Sequence, residues 1–132
     1  MIHFIDAYCF LAWLNPRDAA HEKVARWLDN YRGRFLTTEW VLMEVADGLS
    51  APHLRGKVVR FLQTVRADAF FEILPYDPLL YRAGFDLFAA RPDKAWSLTD
   101  CISFAAMTER GLIDALTADH HFEQAGFRPV FQ

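Results

Sequence analysis

The stretch Ile2 to Pro16, IHFIDAYCFLAWLNP, decides the fold class. Its first four residues, three of them apolar, are bounded at once by an acid, Asp6, which reads as a short buried strand. The next segment, Ala7 to Leu14, is apolar on every side and stops at Asn15-Pro16, as a buried helix does when proline restricts the residue before it. A strand that feeds directly into a buried helix is the opening of an alternating α/β chain.

The rest of the sequence continues that alternation. Asp18 is expected to start a second, amphipathic helix through Val24, Trp27 and Leu28 that ends near Gly33, followed by a brief strand at Phe35 to Thr37. Thr38 suits the N-cap of a third helix whose stripe is Val41, Leu42, Val45, Ala46 and Leu49, and Ser50-Ala51-Pro52 closes it. A fourth helix turns Val58, Phe61, Leu62 and Val65 inward. Phe70 to Leu74 read as a strand, and Pro78 opens a helix through Leu80, Ala83 and Leu87. Ser97, with Asp100 three residues on, resembles a capping box for a helix from Leu98 to Met107 that ends before Gly111. Ala115 to Thr117 form a short strand, and Pro129 to Phe131 a last edge strand. The pattern predicts a three-layer α/β/α sandwich around a short, mostly parallel central sheet. Neither an internal repeat nor a long linker divides residues 1–132, so one domain is expected.

Composition narrows the class further. The chain is 53% hydrophobic and 15% aromatic over 132 residues, ample for a core. Its longest apolar runs fall short of the ~20 residues a bilayer requires, and no basic start with a cleavage-type site is present. A soluble cytosolic protein with no membrane partner is the expectation. Cys9 and Cys101 lie in apolar helical segments without CxxC spacing and read as small packed hydrophobes. The net charge of −3 gives no global attraction to nucleic acid, so a polyanion would have to be held by local basic residues and metal ions.

Four acids stand at the edges of apolar segments: Asp6 in HFIDAYCF, Glu44 in WVLMEVADGL, Asp100 in SLTDCISFAAM and Asp119 in ALTADHHF. Desolvating such a carboxylate without a partner costs several kcal/mol and drives it to bind a proton. Asp6 and Asp119 both follow strands, and in parallel sheets ligands bind at the carboxyl ends of the strands. Glu44 lies about 60° round from Val41 at 100° per residue, on the edge of the helix stripe, where it can reach a cleft. Gathered together, like charges about 4 Å apart repel by roughly 4 kcal/mol per pair at an effective dielectric of ~20, and a divalent cation is the natural counter-charge. Carboxylates without accompanying Cys or well-spaced His select a hard ion, Mg²⁺ or Mn²⁺ rather than Zn²⁺.

Taken together, FIDAYCFLAWL, TTEWVLMEVADGLS, SLTDCISFAAMTERG and ALTADHHFEQAGF resemble, in order and over nearly the whole chain, the PIN-domain ribonucleases and among them the VapC-type toxins of toxin–antitoxin pairs. The Ser97 to Asp100 helix start and the Thr-x-Asp-x-x-Phe segment at Thr117 to Phe122 are the more specific parts. The resemblance implies that Asp6, Glu44, Asp100 and Asp119 are catalytic metal-binding acids, with Thr99 and Thr117 as supports. Asp6 and Asp100 would hold the main ion, Glu44 would share it or activate water, and Asp119 would serve a second ion or an outer position. It implies an Mg²⁺- or Mn²⁺-dependent endoribonuclease, a homodimer, an RNA substrate and a small cognate antitoxin whose segment blocks the acidic cleft. The Ser or Thr that often follows the first Asp in this family is replaced here by Ala7 and Tyr8.

Other readings stand beside it. Asp6, Asp100 and Asp119 each suit a helix cap, which is compatible with metal binding, whereas capping gives no role to Glu44 in mid-helix. Arg55, Lys57, Arg60 and Arg66 suit either a phosphate track or a plain solvated face. His120 and His121, being adjacent, are expected to point apart and make a poor zinc pair, one of them free to meet substrate. Trp13, Trp27, Trp40 and Trp96 read as core or interface anchors. A PIN-fold module that binds RNA or protein without cutting is the alternative of another class. A Mg²⁺-dependent phosphomonoesterase is the weaker enzyme alternative, because an Asp-x-Asp strand end would need an acid where Tyr8 stands. GxxxxGK, GxGxxG, GxSxG and HExxH are all absent.

Overall fold

The computed structural model describes residues 1–132. Strand β1 (Ile2–Ile5) leads into α1 (Ala7–Leu14) and α2 (His21–Asn30), and β2 (Arg34–Thr38) into α3 (Glu39–Gly48) and α4 (Pro52–Ala67). Strand β3 (Phe71–Leu74) precedes α5 (Pro78–Ala90) and α6 (Leu98–Arg110), while β4 (Asp114–Leu116) precedes α7 (His120–Gln124) and β5 (Arg128–Pro129). All five strands are parallel, in the order β3-β2-β1-β4-β5. The first strand in sequence is therefore the centre of the sheet, with Phe4 paired to Leu36 on one side and to Ala115 on the other.

Alternating side chains carry the two helical layers. On one face His3, Phe35 and Phe71 are register partners, and against them pack Trp27 and Tyr31 of α2 and Phe10 of α1. On the other, Phe4 meets Phe122 of α7, which sits edge-on to Phe104 of α6 at 4.9 Å. Helices α1 to α4 cover the first face and α5 to α7 the second, as right-handed crossovers from a central first strand require. The result is the three-layer sandwich expected. One cluster of 26 buried apolar residues fills both interlayer spaces, and Cys9 and Cys101 are free, buried members of it.

Several boundaries follow local chemistry closely. Thr38 caps α3 by accepting from the Val41 amide at 3.1 Å, and Asp77 caps α5 through the Leu79 amide. Ser97 and Asp100 form the complete capping box of α6, and Gly111 ends that helix at φ 66°, a left-handed conformation that suits glycine. Asp18 does not start α2. Its carboxylate accepts from the Ala20 amide at 2.9 Å in a turn of its own, and the helix begins at His21. Of the tryptophans, Trp96 is buried and donates to Gln124 Oε1, Trp27 stacks on Tyr31, and Trp13 is partly exposed. No helix is long and apolar enough to cross a membrane.

Candidate metal centre

The carboxyl edge of the sheet gathers the four acids. Asp6 is the first residue beyond β1 and the N-cap of α1, and Asp119 lies just past β4 as the N-cap of α7. Asp100 comes from the first turn of α6, and Glu44 from the middle of α3. Positions that span more than a hundred residues of sequence thus act on one another electrically.

Asp6 is the buried member, 6% exposed. Burial, then the charges of Glu44 and Asp100, push its carboxyl up to about 7. Glu44 stands at the mouth of the cleft, exposed as a residue but with a partly desolvated carboxyl; desolvation and the charges of Asp100, Asp119 and Asp47 raise it. Asp100 is raised by desolvation, partly countered by the Ser97 amide, with Asp119 adding to the rise. Desolvation leads in all three, and repulsion from the neighbouring carboxylates adds to it; both oppose full ionisation of the set.

Hydrogen bonds hold one oxygen of each aspartate. The Thr117 hydroxyl donates to Asp6 Oδ2 at 3.1 Å and accepts from the Asp119 amide at 3.1 Å. Asp100 Oδ2 accepts from the Ser97 amide at 3.1 Å, and Asp119 Oδ1 from the His121 amide at 2.9 Å. Neither Asp100 Oδ1 nor Asp119 Oδ2 is engaged by any protein donor, and Glu44 has none at all. Thr99 makes no side-chain hydrogen bond to the acids, whereas Thr117 ties two of them together.

The two histidines do not point apart. Their ring centroids lie 4.4 Å from each other, and one ligand-type atom from each of Asp119, His120 and His121 falls within a 4.8 Å group. Both rings fold back toward the N-cap carboxylate in the open first turn of α7, where no preceding helical turn keeps them separate. His121 Nδ1 lies 3.3 Å from Asp100 Oδ2 and 3.4 Å from Asp119 Oδ1. The expectation that one of the pair is free to meet substrate gave His121 no contact with the acids, and the structure gives it two.

The basic stretch of α4 is partly committed elsewhere. Arg66 makes a bidentate pair with Glu39, and Arg55 donates to the Ser50 carbonyl, which leaves Lys57 and Arg60 on the solvated side. Concavity does not mark the acid cleft: a groove of about 900 Å³ beside α2, lined by His3, Lys23, Arg26, Trp27 and Tyr31 among others, contains none of the four acids.

The profile of the PIN domain matches residues 3–128. The chain belongs to the PIN domain family. Among solved structures, this PIN protein is similar to VapC20 of Mycobacterium tuberculosis, a toxin that cleaves the sarcin-ricin loop, at TM-score 0.89, with 23% identity over 98% of both chains. It also resembles FitAcB from Neisseria gonorrhoeae, at TM-score 0.69 and 21% identity over 98% of both chains. A third similar structure is DNA-bound VapBC from Salmonella typhimurium, at TM-score 0.67 and 18% identity over 98% of this chain and 97% of that one. At these identities the likeness describes the fold. No curated protein sequence matches the chain significantly.

Proposed function

We propose that this PIN protein is a divalent-metal-dependent endoribonuclease that serves as the toxin of a toxin–antitoxin pair. The observation that carries the reading is the convergence of Asp6, Glu44, Asp100 and Asp119 on one edge of the sheet, with Asp6 buried and its carboxyl raised to about 7. A set of mutually repelling, partly desolvated carboxylates with undonated oxygens fits a hard cation, Mg²⁺ or Mn²⁺.

In this reading Asp6 and Asp100 hold the main ion, Glu44 shares it or orients water, and Asp119 serves a second ion or an outer position. When bound, the metal supplies a water of lowered pKa and neutralises charge on the phosphodiester's leaving oxygen. The chain's own part is placement. Thr117, Ser97 and the α7 amide fix one oxygen of each aspartate, and the second oxygens of Asp100 and Asp119 are left without a protein donor. Glu44, exposed on α3, adds its charge to the cluster from the solvent side, and in this reading orients the water. No covalent nucleophile is required.

The partners follow from the same proposal: an RNA substrate, a cognate antitoxin whose segment covers the acids, and a second copy of the chain, in the cytoplasm. Tyr76, Tyr81, Phe85 and Phe88 are exposed aromatics around α5, with Trp40 against Tyr76, and they offer a surface for such association. The test is the loss of a labelled RNA in Mn²⁺ or Mg²⁺. Loss that a chelator stops and that Asp100→Asn abolishes supports the reading, and undiminished cutting by Asp100→Asn rejects the site. RNA or protein binding without any cutting would favour a non-cleaving module.

A further inference from the structure

We propose that His121 is a positioning residue of the metal centre, its ring Nδ1–H pinning the carboxylates of Asp100 and Asp119 so that their free oxygens face the same ion. This rests on the metal-dependent reading given above and adds to it a residue outside the acid set.

The geometry is specific to one nitrogen. Nδ1 is within hydrogen-bond reach of Asp100 Oδ2 at 3.3 Å and at ion-pair distance, 3.4 Å, from Asp119 Oδ1; in the metal-bound state both carboxylates are ionised and accept only, so the nitrogen between them carries the hydrogen. Each of the two oxygens it faces already accepts a backbone amide, from Ser97 in one case and from His121 itself in the other. Their sister oxygens accept nothing from the protein. The ring therefore meets both carboxylates on oxygens already engaged and leaves the other oxygen of each without a protein donor.

It also joins separate parts of the fold. Asp100 belongs to the first turn of α6, and Asp119 to the turn between β4 and α7. No other side chain bridges these two acids; Thr117 links Asp119 to Asp6 instead. The two bridges together, Thr117 and His121, chain all three aspartates in one sequence of contacts. The His121 side chain is 20% exposed, against 65% for His120, whose Nδ1 is 3.7 Å from Asp119 Oδ1 and reaches no second acid. His120 is accordingly not given the role.

Outer contacts of this kind typically change metal affinity by 10- to 100-fold. The experiment is Mn²⁺ binding to the full chain without RNA, followed by calorimetry and by the Mn²⁺ electron paramagnetic signal. An asparagine amide nitrogen occupies the branch position of Nδ1, whereas a glutamine amide extends to where Nε2 stood. His121→Ala and His121→Gln are expected to weaken Mn²⁺ binding by about tenfold or more, and His121→Asn to stay within a few-fold of wild type. Equal binding by wild type and His121→Ala overturns the proposal, as does a His121→Asn variant as weak as His121→Gln; this second comparison decides the matter if the alanine variant folds poorly. A wild-type chain that binds neither Mn²⁺ nor Mg²⁺ would remove the metal-dependent reading itself. Ion binding and RNA cutting that survive His121→Ala unchanged would remove only the role of His121.

Discussion

Thr117 and Asp6 are joined by a hydroxyl-to-carboxylate hydrogen bond of 3.1 Å that crosses 111 positions of sequence and is wholly buried. The same hydroxyl accepts from the Asp119 amide. Thr117→Val keeps the shape and strands both partners, so it is expected to cost about 1–3 kcal/mol of stability in urea unfolding. Mn²⁺ binding should weaken by about tenfold in the same variant. Thr117→Ser, which retains the hydroxyl, should recover most of both; a valine variant as stable as wild type would show that the bond contributes nothing.

The acid cluster makes the ion-free protein sensitive to pH in a definite direction. Asp6 moves from the ordinary carboxylate value of 3.8 to about 7 in the folded chain, and Glu44 and Asp100 shift the same way. Between those limits the folded state binds more protons than the unfolded one, so stability falls as pH rises from about 4 to about 7 and then levels. The loss attributable to Asp6 is at most about 4 kcal/mol, at 1.36 kcal/mol per pKa unit. In chelator-containing buffer the unfolding free energy should be greater at pH 5.5 than at pH 8, and Asp6→Asn should flatten the profile and stabilise the protein at pH 8. Added Mn²⁺ should restore wild-type stability at pH 8 but not act on the variant to the same degree.

Two glycines should respond to alanine with opposite signs. At Gly84 in α5 an added Cβ would come within 2.7 Å of the Ile102 Cα, so the glycine sets how closely α5 and α6 pack. Gly84→Ala should lose about 1–3 kcal/mol through overpacking. At Gly56, on the exposed side of α4, the nearest atom is the end of Arg60 at 3.4 Å. Gly56→Ala should gain up to about 1 kcal/mol from helix propensity. Chemical denaturation of the two variants side by side checks both signs.

Ser103 Oγ in α6 is buried with no hydrogen-bond partner. Removing an unsatisfied buried hydroxyl relieves a desolvation cost of about 1–3 kcal/mol, so Ser103→Ala is expected to stabilise the protein and to raise the thermal midpoint. A clear loss of stability would mean that the hydroxyl is satisfied in solution.

Much of this arrangement is legible in the residues because local signals and tertiary demands agree. Ile2 to Ile5 followed by an all-apolar helix could serve only as a strand covered on both faces, and it is the central strand. The capping box at Ser97 and Asp100 and the Thr38 cap depend on neighbours a few positions away, and both form as read. Errors gather where two local solutions compete. Asp18 could cap a helix or close a turn, and it closes the turn. The edge strand was expected at Pro129 to Phe131 and pairs at Arg128–Pro129, although the Val130 and Phe131 amides still donate to Ala115 and Thr117 beyond it. The contact of His121 with Asp100 was out of reach for a different reason: it joins positions 21 residues apart through a turn geometry that helical spacing does not describe.

The sheet order has a consequence for when the acid pocket can exist. β1 occupies the middle, yet one of its two flanking partners, β4, arrives only after more than a hundred intervening residues. Long-range pairing of this kind is slow, since the loop must close before the contact rewards it. A fragment ending ahead of Ala115 would leave one side of β1 bare and would carry neither Thr117 nor Asp119. Competence at the cleft therefore reports that the polypeptide has closed on itself, and a copy cut short before β4 stays inert.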